Sequence, residues 1–312
     1  IVVLREGDEH LRPVLRRPAR GDVGHDPDDG VRRAGVLVGE RQPNLSSQSI
    51  LARPEAFGEP PGDHDDRRSG RRVGGLDASA AEHSRADRLE EAGAEYIDIA
   101  LLPEERGGGV PAMMKFLHGP DVAHPPFAPP FLQAGKRIIG QTANILLFLG
   151  ARHRLAPADD AGRLWAHQLQ LTIADFVDEV HNTHHPIASS LYYEDQKPAA
   201  RRYAAHFRAE RLPKYLGYFE DVLRRNPRGG RHLVGARLSY VDLSMFQVMA
   251  GLGYAFPLAM AKVTRKYPLL TALRARVAAL PRIAAYLASP RRLAFNNDGI
   301  FRHYPALDAR RG

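Results

Sequence analysis

The sequence of 312 residues predicts an incomplete α/β domain followed by an all-α domain. Three observations lead there. Residues 127–150 read as strand, tight turn, strand and helix; residues 88–101 read as the end of a helix followed by a strand; and beyond residue 157 every apolar pattern has helical spacing. The length favours two domains over one, and 44% hydrophobic residues is the usual share for a globular chain.

Residues 1–86 stand apart. Arg, Gly, Pro, Asp and His fill them, Ile1–Leu4 and Val36–Val38 are the clearest apolar runs, and Phe57 is the only aromatic residue before Tyr96. Such a stretch has too little apolar surface to offset the entropy of ordering it. Two readings fit: a disordered extension, or the product of a GC-rich gene read out of frame, which yields Arg, Gly, Pro, Ala, Asp and His with almost no Lys.

Residues 87–150 form the α/β part. Arg88–Ala92 closes a helix at Gly93, and Glu95–Leu101 alternates as a strand does, which together make half of a β-α-β unit. Pro111–Leu117 reads as a short helix between two loops. Pro129 and Pro130 sit at a strand start, one of the few strand positions that tolerate proline, and Gln133-Ala134-Gly135 supplies a hairpin turn leading to a return strand at Arg137–Gly140. Gln141 and Thr142 then open an apolar helix, with a hydroxyl near the N-cap and backbone N–H groups free to receive an anion. A polar pair at the mouth of a helix, beside a proline-led hairpin, suits a carboxylate.

After a linker at 151–157, residues 158–290 are expected to be all-α. A long helix from Asp159 to about His185 carries Leu164, Trp165, Leu169, Ile173, Phe176, Val177 and Val180 on one face, with Trp165 placed in the core. Asp195–Arg225 reads as a second long helix kinked at Pro213. Ser239 and Asp242 form a capping-box pair at the start of a third, flanked by Leu238 and Leu243. Shorter helices are expected at 258–266, 269–279 and 282–289, and the tail at 291–312 is expected to pack across the surface. Asp178, His181 and His185 recur at i, i+3 and i+7, a spacing that can present metal ligands. A single helix supplies them, so no metal is assigned; the histidines are read as pocket lining or as caps before Pro186. Tyr192 and Tyr193 read as exposed loop residues by default, with closure of the pocket as the alternative.

Composition narrows the classes of function. With no cysteine there is neither a disulfide nor a protein-borne thiol nucleophile. No run of 18 apolar residues occurs, so a membrane span is not expected and a cytoplasmic location is. Residues 1–94 hold 15 Arg and no Lys against 18 acidic residues, a net of −3, which leaves +11 of the overall +8 for the remainder. Those cations are scattered along helices and not interleaved with aromatics, which argues against nucleic acid as a partner.

In this order, the hairpin, Gln141-Thr142, and the segment Gly230–Asp242 with its Leu233-Val234-Gly235 and Leu238-Ser239-Tyr240-Val241-Asp242 resemble the cytosolic glutathione S-transferases, sigma-like members above all, over residues 88–290. The resemblance implies an incomplete thioredoxin-like N-terminal domain and an all-α C-terminal domain. It implies a homodimeric detoxification enzyme joining the thiolate of glutathione, as co-substrate, to an apolar electrophile. Gln141 and Thr142 match the pair that binds the γ-glutamyl carboxylate, and Asp175 matches an aspartate that reaches the glutathione amino group across the dimer. The family's cis-proline falls on Pro130 by its spacing from Gln141, or on Pro129, in which case Ala128 supplies both backbone groups to glutathione. One departure stands out: the family's first strand carries a Tyr, Ser or Cys that lowers the pKa of the bound thiol. Here no Tyr precedes Tyr96, and Asp65–Gly75, where that strand belongs, is rich in Arg and Gly. The catalytic residue is therefore unassigned, activity of this polypeptide is expected to be low, and a non-catalytic ligand-binding or assembly module of the same fold is the alternative.

Overall fold

The computed structural model describes residues 2–4 and 89–309. A four-stranded sheet is built from β1 (Val2–Leu4), β2 (Tyr96–Asp98), β3 (Phe131–Ala134) and β4 (Arg137–Gly140) in the order β2-β1-β3-β4. Helix α1 (Gly109–His118) precedes the β3–β4 hairpin, and α2 (Thr142–Arg152) follows it. Gly135, at φ +58°, makes the hairpin turn that lets Ala134 pair with Arg137. Phe131 and Leu132 are completely buried. Leu132 packs with Leu89, Ile145 and Leu149, whereas Phe131 packs with Met113 on α1.

Val2–Leu4 lies in the stretch expected to carry no packed structure, yet it forms a central strand. Val-Val-Leu is a sequence with high strand preference, and an inner sheet position favours that kind of run. The remainder of the 1–86 expectation falls outside the described residues. β1 runs antiparallel to β2 and parallel to β3. The helical segment at residues 89–92 and β2 therefore do not complete a β-α-β unit, because that unit requires parallel neighbours.

The remainder is helical: α3 (Asp160–His181), α4 (Lys197–His206), α5 (Leu212–Arg225), α6 (Tyr240–Ala255), α7 (Pro257–Val263), α8 (Pro268–Ala278), α9 (Pro281–Leu287) and α10 (Pro305–Asp308). None of the described helices is long and apolar enough to cross a membrane. Asp159 caps α3 by accepting from Gly162 N–H at 2.7 Å. The inward face of α3 is Ala166, Leu169, Ile173, Phe176 and Val180, while Leu164 is 71% and Trp165 36% exposed. Trp165 is thus not a core residue; it lies along a surface groove with Pro157 and Tyr218. The expected single helix at 195–225 is two helices joined by a π-helical turn at Phe207–Arg211, immediately before Pro213. Proline cannot donate to the preceding turn, and the wider π turn absorbs the missing bond. That turn is tied to α3: Arg211 binds the Glu179 carboxylate through two nitrogens, and Tyr215 OH donates to Glu179 at 2.8 Å. Burial pushes the Tyr215 hydroxyl up to about 12, with the Glu179 hydrogen bond adding to it.

Helix α6 is the axis of this domain. All its residues are buried except Ala250, Gly253 and Tyr254, as expected of a helix apolar on every side. Its start is fixed by Asp242, fully buried, whose carboxylate accepts from Ser239 N–H and Ser239 Oγ, each at 2.8 Å, and from Leu233 N–H at 2.8 Å. Two other buried carboxylates cap helices distant in sequence. Glu220 accepts from Leu269 and Leu270 N–H at the start of α8, and Asp308 from Leu258 and Ala259 N–H at the start of α7. The tail does not lie across the surface: Phe301 and Leu307 are buried in the helical core, and Phe301 stacks so closely over Gly251 that a Cβ there would stand 2.4 Å from the ring. The α2 helix meets this core where the Tyr240 ring covers Gly150; a Cβ at Gly150 would come within 2.5 Å of it.

Replacing Asp242 by Ala leaves two buried N–H groups without acceptors, and is expected to lower unfolding free energy by about 3 kcal/mol. Urea denaturation followed by circular dichroism measures this, and an unchanged midpoint would show that the carboxylate does not hold the start of α6.

Candidate functional site

Where α2 approaches α3 and α6, a cavity of about 460 Å³ opens. Gln141, Thr142, Ala143 and Asn144 form its rim at the α2 N-terminus. Leu171, Ile173, Ala174 and Val177 of α3, Val248 of α6, and Ile300 and Phe301 of the tail make the walls apolar. The hairpin delivers the rim. After β4 the chain turns sharply at Gln141, which has φ +67° and ψ 122°, and its carbonyl accepts the first helical bond from Ile145 N–H at 2.9 Å. A residue with a Cβ at that φ is strained, at a cost of about 1–3 kcal/mol. Gln141 makes no side-chain capping bond, so both its exposed side chain and the first-turn N–H groups of α2 face outward for a ligand.

Four polar side chains enter the apolar walls: His167 and Gln170 from α3, Ser244 and Gln247 from α6. Ser244 Oγ is in hydrogen-bond contact with Gln170 Oε1 and lies 3.0 Å from the Tyr240 carbonyl. Gln247 is 2% exposed, and its Nε2 has no protein partner; neither has the buried Nδ1 of His167. A buried amide N–H₂ without a protein acceptor is a donor available to a ligand. The periodicity of α6 marks it only as buried, so Gln247 and Ser244 were not visible as cavity residues from sequence.

Of the residues singled out from sequence, Gln141 and Thr142 line the cavity. The others do not. Asp175 is exposed on α3, next to Ala174. Ala128, Pro129 and Pro130 are half-buried before β3, and the Pro129–Pro130 peptide is cis, which makes Pro130 the cis residue of the two. The histidines following α3 also lie away from the cavity. The expected Asp178, His181, His185 face does not form, because α3 stops at His181. Asp178 is exposed and accepts from Asn182 Nδ2, while His184 takes its place in a group with His181 and His185. Tyr193, expected in an exposed loop, is buried and stacked on Tyr304 with centroids 3.7 Å apart; Tyr192 is exposed.

No tyrosine among the described residues lines the cavity. Tyr96, the first in the chain, is committed elsewhere: its hydroxyl donates to Glu90 Oε1 at 2.8 Å, and Glu90 is also held by Arg291. Burial, then the Glu90 bond and charge, raise its pKa well above the ordinary value, the opposite of what thiol activation requires.

Comparison of this fold with solved structures identifies its class. Prostaglandin synthase D of Nilaparvata lugens superimposes over 68% of this chain and 94% of its own, with a TM-score of 0.52 at 17% identity. The Pi-class glutathione S-transferase of Onchocerca volvulus does so over 68% and 88%, with a TM-score of 0.51 at 17% identity. The arrangement is an incomplete thioredoxin-like domain joined to an all-α domain. Residues 181–290 match the family model "Glutathione S-transferase, C-terminal domain". A Plasmodium falciparum glutathione S-transferase is 24% identical over 199 residues, 62% of this chain and 86% of the relative. The Xenopus laevis glutathione S-transferase P 1 is 27% identical over 164 residues, 52% and 69% respectively. These matches support assignment of this part of the chain to the cytosolic glutathione S-transferase family.

Strain at Gln141 has a measurable consequence. Gln141→Gly removes the Cβ that opposes φ +67°, and is expected to leave thermal stability equal to the parent or higher by up to about 1 kcal/mol. A clear loss of stability in calorimetry would mean that the Gln141 side chain supports the fold and not a ligand.

Proposed function

We propose that this chain carries the glutathione-binding module of a glutathione S-transferase, with Gln141 and Thr142 receiving the γ-glutamyl carboxylate. The observation that carries this reading is the placement of that polar pair, with unspent backbone N–H groups, at the N-terminus of α2 on the rim of an apolar cavity. A carboxylate there gains both hydrogen bonds and the favourable end of the helix dipole. The extended backbone before β3 is the candidate partner for the peptide part of glutathione. Pro129 offers only its carbonyl and Ala128 offers an N–H, since proline has none. Asp175, exposed on α3, suits contact with glutathione held by a second subunit in a sigma-like homodimer. The cavity then receives an apolar electrophile, and Gln247 Nε2 is placed to donate to an oxygen on it. In the reaction, the glutathione sulfur, having lost its proton to solvent or a base, bonds to the electrophilic carbon as a leaving group departs from that carbon with its electron pair or, at an activated double bond, as the π pair shifts to the neighbouring atom and is protonated from solvent. A cytoplasmic detoxifying role follows from the same reading.

Among the described residues no thiol-activating hydroxyl is recognisable. Of the described hydroxyls lining the cavity, Ser244 is engaged with Gln170, leaving Thr142. A second reading is therefore a non-catalytic carrier or assembly module that uses the cavity for apolar ligands.

Isothermal titration with glutathione tests the first reading. Binding is expected, and Gln141→Ala is expected to weaken it at least tenfold, or about 1.4 kcal/mol, while leaving the affinity for an apolar dye intact. Absence of glutathione binding, with dye binding retained, would favour the carrier. For the chain beginning at Ile1, turnover of a generic aromatic electrophile is expected to stay near the uncatalysed rate. Robust turnover would show that an activating group exists.

A further inference from the structure

Three histidines meet just beyond the end of α3. One ligand nitrogen from each of His181, His184 and His185 can be chosen so that all lie within 4.8 Å of one another. The rings of His181 and His185 are stacked, 4.9 Å apart and 10° from parallel, and His184 meets both edge-on, at 5.1 and 4.7 Å. His184 and His185 are buried, and His181 is half-buried. We propose that this cluster binds a divalent transition metal ion of the zinc class through the three imidazoles.

The hydrogen bonding around His184 is already that of a metal ligand. Its Nε2 lies 2.8 Å from the carbonyl oxygen of Ile300. A carbonyl only accepts, so Nε2 carries the proton and Nδ1 carries the lone pair. At 2.5 Å that lone pair accepts the Nδ1 proton of His185, and an incoming metal ion takes the place of this proton. A backbone carbonyl that fixes tautomer and ring orientation is the usual outer partner of a ligating histidine. Two imidazole nitrogens on one tetrahedral zinc ion sit roughly 3.3 Å apart, so small ring rotations bring the group into register. The donor set selects the ion: imidazole suits zinc, copper and nickel, whereas magnesium and calcium require oxygen ligands. The opposing group is Arg302, whose charge acts on His184 and whose guanidinium is tied to the carbonyls of Gly299 and Asp298.

None of the three histidines lines the cavity, so the site is independent of the glutathione reading. It is connected to the cavity through Ile300, whose carbonyl orients His184 and whose side chain forms part of the cavity wall.

The test is titration of the full chain, after dialysis against a chelator, with Co²⁺ and then Zn²⁺. One equivalent of Co²⁺ is expected to give the visible absorption bands of a four-coordinate ion, and Zn²⁺ is expected to displace it. His181→Ala and His185→Ala, each checked for folding by circular dichroism, are expected to weaken binding at least tenfold. The other histidines among the 14 would bind weakly and without those bands. Absence of the bands in the parent, or affinity unchanged in a folded His181→Ala/His185→Ala double variant, would overturn the proposal. If the double variant does not fold, His181→Ala, at the half-exposed position, decides by the same criterion.

Discussion

The helical domain depends on one buried carboxylate. Asp242 gathers three donors, two from Ser239 and one from Leu233, at the start of a helix that has almost no contact with solvent. A buried helix end without acceptors would leave several polar groups stranded in an apolar interior. Asp242 removes that cost, and in doing so joins the loop before α6 to its first turn. The next residue outward, Tyr240, donates its backbone N–H to Leu155 in the linker and lays its ring on Gly150 of α2. The helix start therefore also positions the N-terminal domain.

The same device recurs at a distance. Helices α7 and α8 begin with proline and have no cap of their own. Their free N–H groups are met by Asp308 from the tail and Glu220 from α5. These carboxylates are buried because they serve the ends of other helices, and their charge is offset by N–H dipoles, to which Arg224, 3.8 Å from Glu220 Oε1, adds at one of them. The tail is drawn into the core by this bond and by Phe301 over Gly251, and it closes one wall of the cavity as a result.

The candidate site combines features that are unfavourable for folding alone. Gln141 holds a strained φ, and Gln247 and His167 bury polar atoms without partners. Each is a cost that a bound ligand would offset, and all three border one cavity. Such concentrations of local strain and unmet polarity are a common mark of a functional site. The hydroxyl of Tyr96, by contrast, is fully used by Glu90, which removes it from chemistry.

By itself the sequence determined what short-range physics can determine. The hairpin was legible from Pro129, Pro130 and Gly135, the polar pair from the apolar helix that Gln141 opens, and the start of α6 from Ser239 and Asp242. Turn preferences and capping depend on residues a few positions apart. The tertiary structure alone decided what depends on distant partners. The burial of the tail and the capping of α7 and α8 each require a neighbour 30 or more positions away, and the outward face of Trp165 follows from the side on which α3 packs. Val2–Leu4 carries strand propensity in its sequence, but only the sheet decided its place between β2 and β3 and its direction. The histidines followed the same rule: a helical wheel grouped His181 with Asp178 and His185, and the end of α3 at His181 exchanged Asp178 for His184.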